Sequence, residues 1–227
     1  MKYAVISGEY EYSNELKKFG LSLLKTELNP NLQRSVAYHA DMNCAKIGDM
    51  IYVAKEQTEI IAKLDELELK YEIISELCPD YPFDVYLNCA ICGKNAVINP
   101  NTVSKGILSQ LESDGYDIYC VKQGYSGCST LFVNENTVIT ADDGIYNALH
   151  NFFDVLKISD RDINLPGFDH GFIGGSAKMI NKSTMLFFGD IYSISDGEKI
   201  VRFLNNHNIK SVSLSGKLTD IGGMIIL

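Results

Sequence analysis

The 227-residue chain lacks tryptophan and has only five prolines and four histidines. Scarce proline beside 46% apolar residues excludes the collagen-like and disordered classes. The chain also has no apolar run near the ~20 residues that a membrane-spanning helix needs, so no membrane partner is expected. Its start carries one lysine and a short apolar stretch before Glu9, which predicts a strand and not a signal peptide.

Basic residues are also few, with 20 Lys and Arg against 29 Asp and Glu and a net charge of −9. Nucleic-acid affinity comes largely from clustered Lys and Arg, so a nucleic-acid partner is not expected, whereas a small cationic ligand is permitted. Without an export signal, the cysteines predict reduced thiols in a cytoplasmic protein. No set of them has zinc-site spacing, and no cofactor is indicated. The six are Cys44, Cys78, Cys89, Cys92, Cys120 and Cys128.

Four segments share one pattern of strand, polar turn, strand, helix and strand, within residues 42–78, 85–123, 126–160 and 172–215. Each is a ββαβ module too small to bury its own apolar face, so several must pack side by side. Capping patterns predict where the helices begin and end. We expect N-caps at Thr58 and Thr102, a capping box at Ser195 and Glu198, a helix end at Gly115, and hairpin turns at Gly48-Asp49, Gly93-Lys94-Asn95 and Asn134-Glu135-Asn136.

The two termini supply a fifth unit when joined. Residues 218–227 resemble the first strand of a module, and residues 1–40 predict a strand, a helix over 13–28 and a strand over 33–39. Pairing the last strand with the first would close the ring and leave no frayed edge. We therefore predict one α/β domain of five modules, an α/β propeller; the alternative is an open solenoid.

Three short motifs carry a family resemblance: HADMNC at 39–44, FDHGFIGGS at 168–176 and DIGG at 220–223. With the five-module pattern, they resemble the pentein, or guanidine-modifying enzyme, superfamily. The resemblance implies ββαβ modules around a pseudo-fivefold axis and hydrolase or amidinotransferase chemistry on guanidinium groups. It also implies a cysteine nucleophile near the end of the fifth module, a histidine that moves protons and carboxylates that hold the cation.

The chain departs from the superfamily where the nucleophile is expected. The pattern G-G-x-x-C begins here at Gly222-Gly223 but ends in Ile226, which cannot attack a carbon. The superfamily also includes a non-enzymatic ribosome anti-association factor, so the fold alone does not establish catalysis. Two hypotheses result: a divergent guanidine-modifying hydrolase or amidinotransferase, or a non-catalytic module that binds a small cationic ligand or a protein partner.

Three thiols and a hydroxyl occupy four of the five matched positions where the first strand of each module begins. Cys128 or Cys44 would replace the missing nucleophile; alternatively, cysteine serves there as a small apolar residue near a crowded axis. Cys89 and Cys92 form C-x-x-C, but side chains three apart on a strand face opposite ways, which argues against a redox or metal pair. The matched positions are Cys44, Cys89, Cys128, Ser176 and Met224.

The acid–base and cation-binding candidates lie at the module heads. His39 and Asp41, two apart at a predicted strand end, form the H-x-D pattern; the alternative is a polar strand end. In several pentein enzymes the catalytic histidine starts the fourth module, which makes His170 the first acid–base candidate; the alternative is a tight glycine loop. Asp41, Asp169 and Asp220 are the candidates for holding a cation.

Overall fold

The computed structural model describes residues 2–10 and 13–227, without the side chains of Ser13 and Asn14. Met1, Glu11 and Tyr12, part of the predicted fifth module, lie outside the described residues. The described strands form five three-stranded sheets. Their bounds are β1 Lys2–Ile6, β2 Leu21–Lys25, β3 Cys44–Ile47, β4 Met50–Ala54, β5 Lys70–Ile74, β6 Ala90–Cys92, β7 Asn95–Ile98, β8 Asp117–Cys120, β9 Thr130–Asn134, β10 Thr137–Thr140, β11 Asp154–Lys157, β12 Ala177–Asn181, β13 Thr184–Phe187, β14 Lys210–Ser213 and β15 Met224–Ile226.

All five sheets share one topology. The central strand pairs antiparallel with one neighbour and parallel with the other, as β4 does with β3 and β5. Where β3 meets β4 and β6 meets β7, the two-residue turn begins with a glycine at positive φ, 57° at both Gly48 and Gly93. Positive φ at this position suits the tight turns that join twisted antiparallel strands. The predicted turns at these two hairpins therefore have a clear backbone basis.

The fifth sheet is built from both ends of the chain. β15 pairs antiparallel with β1, and β1 pairs parallel with β2. The first strands of neighbouring modules lie against one another in the order β3, β15, β12, β9, β6. The mixed α/β fold with a fifth unit shared between the termini is thus confirmed, while the division of the chain into domains stays a prediction.

The helices cover the sheets through narrow apolar faces. In α3 the buried residues are Ile60 and Leu64, and in α4 they are Ile107 and Leu111, the four-residue spacing that places side chains on one helix face. None of the described helices has the length and apolar character needed to span a bilayer. The helices are α1 Ser13–Lys17, α2 Ala40–Asn43, α3 Thr58–Glu66, α4 Lys105–Ser113, α5 Ser126–Ser129, α6 Asp143–Leu149 and α7 Gly197–Asn206, with 3₁₀ turns at Arg34–Val36, Phe83–Val85 and Ile191–Ser193.

The N-terminal elements differ from the prediction. The helix expected over 13–28 ends at Lys17, and Gly20 lies shortly beyond it with φ of 72°. Residues 21–25 then form β2 beside β1, so the strand expected over 33–39 is wrong; that segment holds a 3₁₀ turn. A glycine in the left-handed conformation ends the helix, and pairing with β1 makes residues 21–25 a strand.

The predicted helix caps also shift by one or two residues. Gln57, and not Thr58, precedes α3, and Asp196, and not Ser195, precedes α7. Ser104, and not Thr102, caps α4, and its hydroxyl accepts a hydrogen bond from Ile107 N at 3.2 Å. Gly115 does lie just beyond the end of α4, with φ of 66°.

Candidate functional site

Five of the sequence-predicted site residues line one small cavity of about 270 Å³. We call it the small cavity. Its chemistry-bearing residues come from the third module, from the fifth module that both termini supply, and from the loop before β12, so only the packing of the modules brings them together. They are His39, Cys128, Asp169, His170 and Asp220.

Cys128 lies on α5 and is buried, with 3% of its surface exposed. Asn88 holds this helix: its side-chain oxygen accepts hydrogen bonds from Gly127 N at 2.7 Å and Cys128 N at 3.2 Å. The Asn88 amide nitrogen donates to Cys128 Sγ at 3.0 Å, and Ser126 Oγ donates to the Asn88 carbonyl. One buried asparagine therefore fixes both the backbone and the sulfur. Sequence analysis missed it because a single Asn between apolar residues has no pattern.

The Cys128 thiol also donates to a carboxylate, with Sγ 2.7 Å from Asp41 Oδ2. Asp41 is half-buried, and its Oδ1 is shielded from solvent with no hydrogen-bond partner among the described residues. A buried, unpaired carboxylate oxygen is costly, and an acceptor of this kind suits a cation. The Cys128–Asp41 pair therefore places a nucleophilic atom beside an acceptor with spare capacity.

The predicted strand end at His39 and Asp41 is wrong: His39 precedes α2, and Asp41 lies in its first turn. Asn43 holds this turn, because its amide nitrogen donates to the carbonyls of Ala37 and His39 at 3.1 and 2.8 Å. Asp41 N donates to Gly222 O at 3.1 Å and so ties α2 to the glycine pair before β15. Side-chain competition for backbone groups favours such a turn over a strand.

Burial and the neighbouring charges favour the protonated thiol at Cys128. Burial raises the pKa of Cys128 well above its ordinary value, and the charges of Asp41 and Asp220 raise it further. Burial also raises the pKa of Asp41, partly opposed by nearby His39. Because a thiolate is the reactive form of cysteine, the free protein holds Cys128 in its less reactive form.

Asp220 also lines the small cavity and is 2% exposed. Its carboxylate accepts hydrogen bonds from Phe172 N at 2.8 Å and Gly222 N at 2.9 Å, and its Oδ1 lies 3.8 Å from His39 Nδ1. Gly175 lies against it; a Cβ there would be 2.5 Å from Asp220 Cγ. The double glycines found in the sequence thus make room for this carboxylate and for His39.

His170 and Asp169 occupy the more exposed side of the small cavity. His170 Nδ1 lies 3.2 Å from Gly171 O and 3.7 Å from Asp160 Oδ2. Tyr125, which also lines the cavity, stacks on Phe172 with ring centroids 6.1 Å apart. This aromatic wall was not found from the sequence, because its rings come from separate modules.

Tyr125 is held by a buried acid outside the cavity. Its hydroxyl donates to Asp84 Oδ2 at 2.5 Å. Burial raises the pKa of Asp84 and also that of Tyr125. Asp84 therefore fixes the orientation of the aromatic ring.

Cys44 lies elsewhere, in the wall of a larger cavity of about 970 Å³ that Asp41 also lines. Burial raises the pKa of Cys44 to about 12. Cys89, which precedes β6, and Cys92, which ends it, also line this cavity. Both are free thiols, and no cluster of three metal-ligating side chains occurs in residues 2–10 and 13–227.

Residues 5–225 match the model of a family of unknown function, DUF6873. The chain belongs to this family. No curated protein matches it. A family without an assigned activity that shares the fold described above fits a divergent pentein branch, which is what the sequence motifs indicated.

Solved structures show the fold of this DUF6873 member. A dimethylarginine dimethylaminohydrolase from Pseudomonas aeruginosa in complex with citrulline shares 10% identity, with a TM-score of 0.61 over 100% of this chain and 99% of that one. An amidinotransferase from Microseira wollei, of the saxitoxin pathway, shares 10% identity, with a TM-score of 0.64 over 95% of this chain and 88% of that one. A C. jejuni agmatine deiminase with substrate bound shares 10% identity, with a TM-score of 0.59 over 99% of this chain and 92% of that one. The chain has the pentein fold.

Replacing Asn88 tests whether it stabilises the thiolate as well as the fold. The Asn88 amide hydrogen bond lowers the pKa of Cys128, so Asn88→Ala should raise that pKa and slow Cys128 alkylation by iodoacetamide between pH 7 and 9. The lost contacts should also cost about 1–3 kcal/mol of unfolding free energy. Mass spectrometry of the alkylated protein measures the first effect and thermal unfolding the second. Faster alkylation of the variant would mean that Asn88 only shields the sulfur.

Proposed function

We propose that the small cavity binds a small guanidinium or amidine compound and that Cys128 attacks its central carbon. The observation that carries this proposal is the lining of the small cavity, in which Cys128, hydrogen-bonded to Asp41, lies with two histidines and with Asp169 and Asp220. A guanidinium group is a planar cation with forked donors, and carboxylates are its matched acceptors. Nucleophile, acid–base groups and acceptors therefore face one space large enough for a small molecule.

The chemistry balances with the groups present and water. The Cys128 thiol passes its proton to Asp41 as Sγ bonds to the guanidinium carbon, and a protonated histidine donates a proton to the departing nitrogen as the C–N bond breaks; Asp41 returns its proton to the sulfur when the product leaves. Water next adds to the thiouronium carbon and loses a proton to the same histidine. Release of the ureido product returns the thiol. In an amidinotransferase, a second amine would take the place of water.

His39 and His170 are both candidates for the histidine. His39 is buried beside Asp220, an orientation that favours proton transfer inside the cavity. His170 is more exposed and faces Asp160, so it can exchange protons with solvent. Each role is consistent with imidazole chemistry near neutral pH.

A cationic ligand would also offset the groups that hold the thiol protonated. Two of the causes that raise the pKa of Cys128 are the charges of Asp41 and Asp220. A guanidinium bound between these carboxylates would compensate them and add a positive charge near the sulfur, which favours the thiolate. Reactivity of Cys128 would then accompany binding.

The second candidate function is binding without turnover. It is favoured by Ile226, which ends the G-G-x-x-C pattern and lies in β15 paired with Ala4. The isoleucine side chain at that position cannot act as a nucleophile. A bound cation would then be held by the same aspartates.

A panel of guanidines separates the two functions. We expect the protein to release a ureido product from at least one of arginine, agmatine and methylarginine, measured colorimetrically, with binding measured by calorimetry on the same samples. Binding without product would favour the non-catalytic function. If the protein neither binds any guanidine of this panel nor releases a product from it, the proposed function is contradicted.

A further inference from the structure

Carboxylates surround the small cavity on several sides. Asp169 and Asp220 line it. Asp41 is hydrogen-bonded to Cys128, which also lines it, and Asp160 lies against His170. Among the described residues, no lysine or arginine lines this cavity. The space therefore has a negative potential without a fixed cation to receive an anionic group.

The two histidines do not change this balance. His39 faces Asp220 at 3.8 Å, and His170 faces Asp160 at 3.7 Å. If either imidazole is protonated, its charge is already offset by a carboxylate. A ligand carboxylate in the cavity would thus meet like charges and lose its hydration without gaining a partner.

The remaining wall of the cavity is aromatic. Tyr125 stacks between Tyr81, at 6.3 Å between centroids, and Phe172, at 6.1 Å. The His170 ring meets Phe172 edge-on at 6.0 Å, and Phe168 lies at the rim, 45% exposed. Aromatic faces attract cations and pack against alkyl chains, so they favour a ligand with a methylene chain and a positive end.

We infer that the small cavity selects a guanidinium compound that carries no carboxylate and has a second cationic group at its other end. This inference rests on the proposed function. Asp220, buried with Asp41 nearby, would hold the guanidinium end, and the exposed Asp169 would attract the second cation at the rim. Guanidinoalkylamines have this chemistry, whereas arginine and its methylated forms carry a carboxylate.

Matched ligand pairs test the selectivity on the Cys128→Ser variant, which prevents turnover during the measurement. Arginine and argininamide differ in the carboxylate, and agmatine and butylguanidine differ in the second cation. By calorimetry at low salt, we expect argininamide to bind at least about tenfold tighter than arginine, and agmatine to bind several-fold tighter than butylguanidine.

The Asp169→Asn variant, in the same background, isolates the rim. It should weaken agmatine binding by about threefold and leave butylguanidine unchanged, since exposed ion pairs contribute little each. Asp117→Asn, which neutralises an exposed acid at the start of β8, controls for net charge. It should leave the affinity for both ligands unchanged.

Three outcomes are decisive. The expected order of affinities supports the inference. Arginine binding as tightly as argininamide overturns it but leaves the proposed function standing, since a guanidinium is still bound. If none of the four ligands binds to the wild-type protein or to Cys128→Ser, the proposed function itself fails and the selectivity fails with it.

Discussion

Replacing Cys128 with serine is expected to lower ureido-product formation by about 10³-fold or more, measured under single-turnover conditions with the best guanidine of the panel. The physical reason is nucleophilicity: the serine hydroxyl is far less acidic than a thiol and, beside Asp41 and Asp220, would not be ionised. The hydroxyl can still donate to Asp41, so folding and ligand binding should change little. A loss of turnover with retained binding would assign the covalent step to Cys128.

Two other cysteines make this result interpretable. Cys120→Ser alters an exposed thiol at the end of β8 and should leave turnover unchanged. Cys44→Ala removes the other nucleophile candidate, a residue of the large cavity whose burial raises the pKa of its thiol to about 12. It should lower the melting temperature and leave the turnover of folded protein intact. Loss of turnover in Cys44→Ala together with normal turnover in Cys128→Ser would identify Cys44 as the nucleophile.

The organisation into five modules could be predicted because its signals are local and repeated. Glycine turns, apolar alternation and capped helices recur at similar spacing, and each needs only a few neighbouring residues. The half-units at the termini then required a partner, which the pairing of β15 with β1 supplies. Repetition across modules made the prediction robust to errors at any one helix cap.

The N-terminal unit was harder to predict, because its local pattern is ambiguous. Residues 13–28 contain enough leucine and lysine for a helix, yet residues 21–25 become β2. Five backbone partners on β1 and a left-handed Gly20 outweigh the helix propensity of LSLLK. Tertiary pairing decides such a segment, and a short window of sequence does not contain the partner strand.

The candidate site was predictable as a set of residue types but not as a geometry. The sequence singled out the histidines, aspartates and Cys128 by their places at module heads, and the small cavity contains five of the seven residues chosen. Asn88 and Tyr125 were missed because their function depends on contacts between modules about 40 residues apart. The sequence also ranked Cys44 with Cys128, since only three-dimensional packing distinguishes a thiol beside Asp41 from one in the large cavity.

Gly222, two residues before β15, lies in close contact with His39 and Asp41. Gly222 has φ of 74°, and a Cβ there would lie 2.6 Å from His39 Cγ and 2.7 Å from Asp41 Oδ1. Gly222→Ala should therefore displace His39 and Asp41 together. We expect about 3 kcal/mol lower unfolding free energy, from left-handed strain and overpacking, and ligand affinity at least about tenfold weaker.

Gly115→Ala provides the matched control, because Gly115 has φ of 66° but a Cβ added there would have no neighbour within 4 Å. It carries the left-handed strain alone, so it should cost about 1–2 kcal/mol and leave ligand binding unchanged. Denaturant unfolding and calorimetry on both variants separate strain from crowding. If Gly222→Ala lost no more stability than Gly115→Ala and bound guanidines normally, His39 and Asp41 would not need their present positions for binding, and the cation would have to be held by Asp220 and the rim alone.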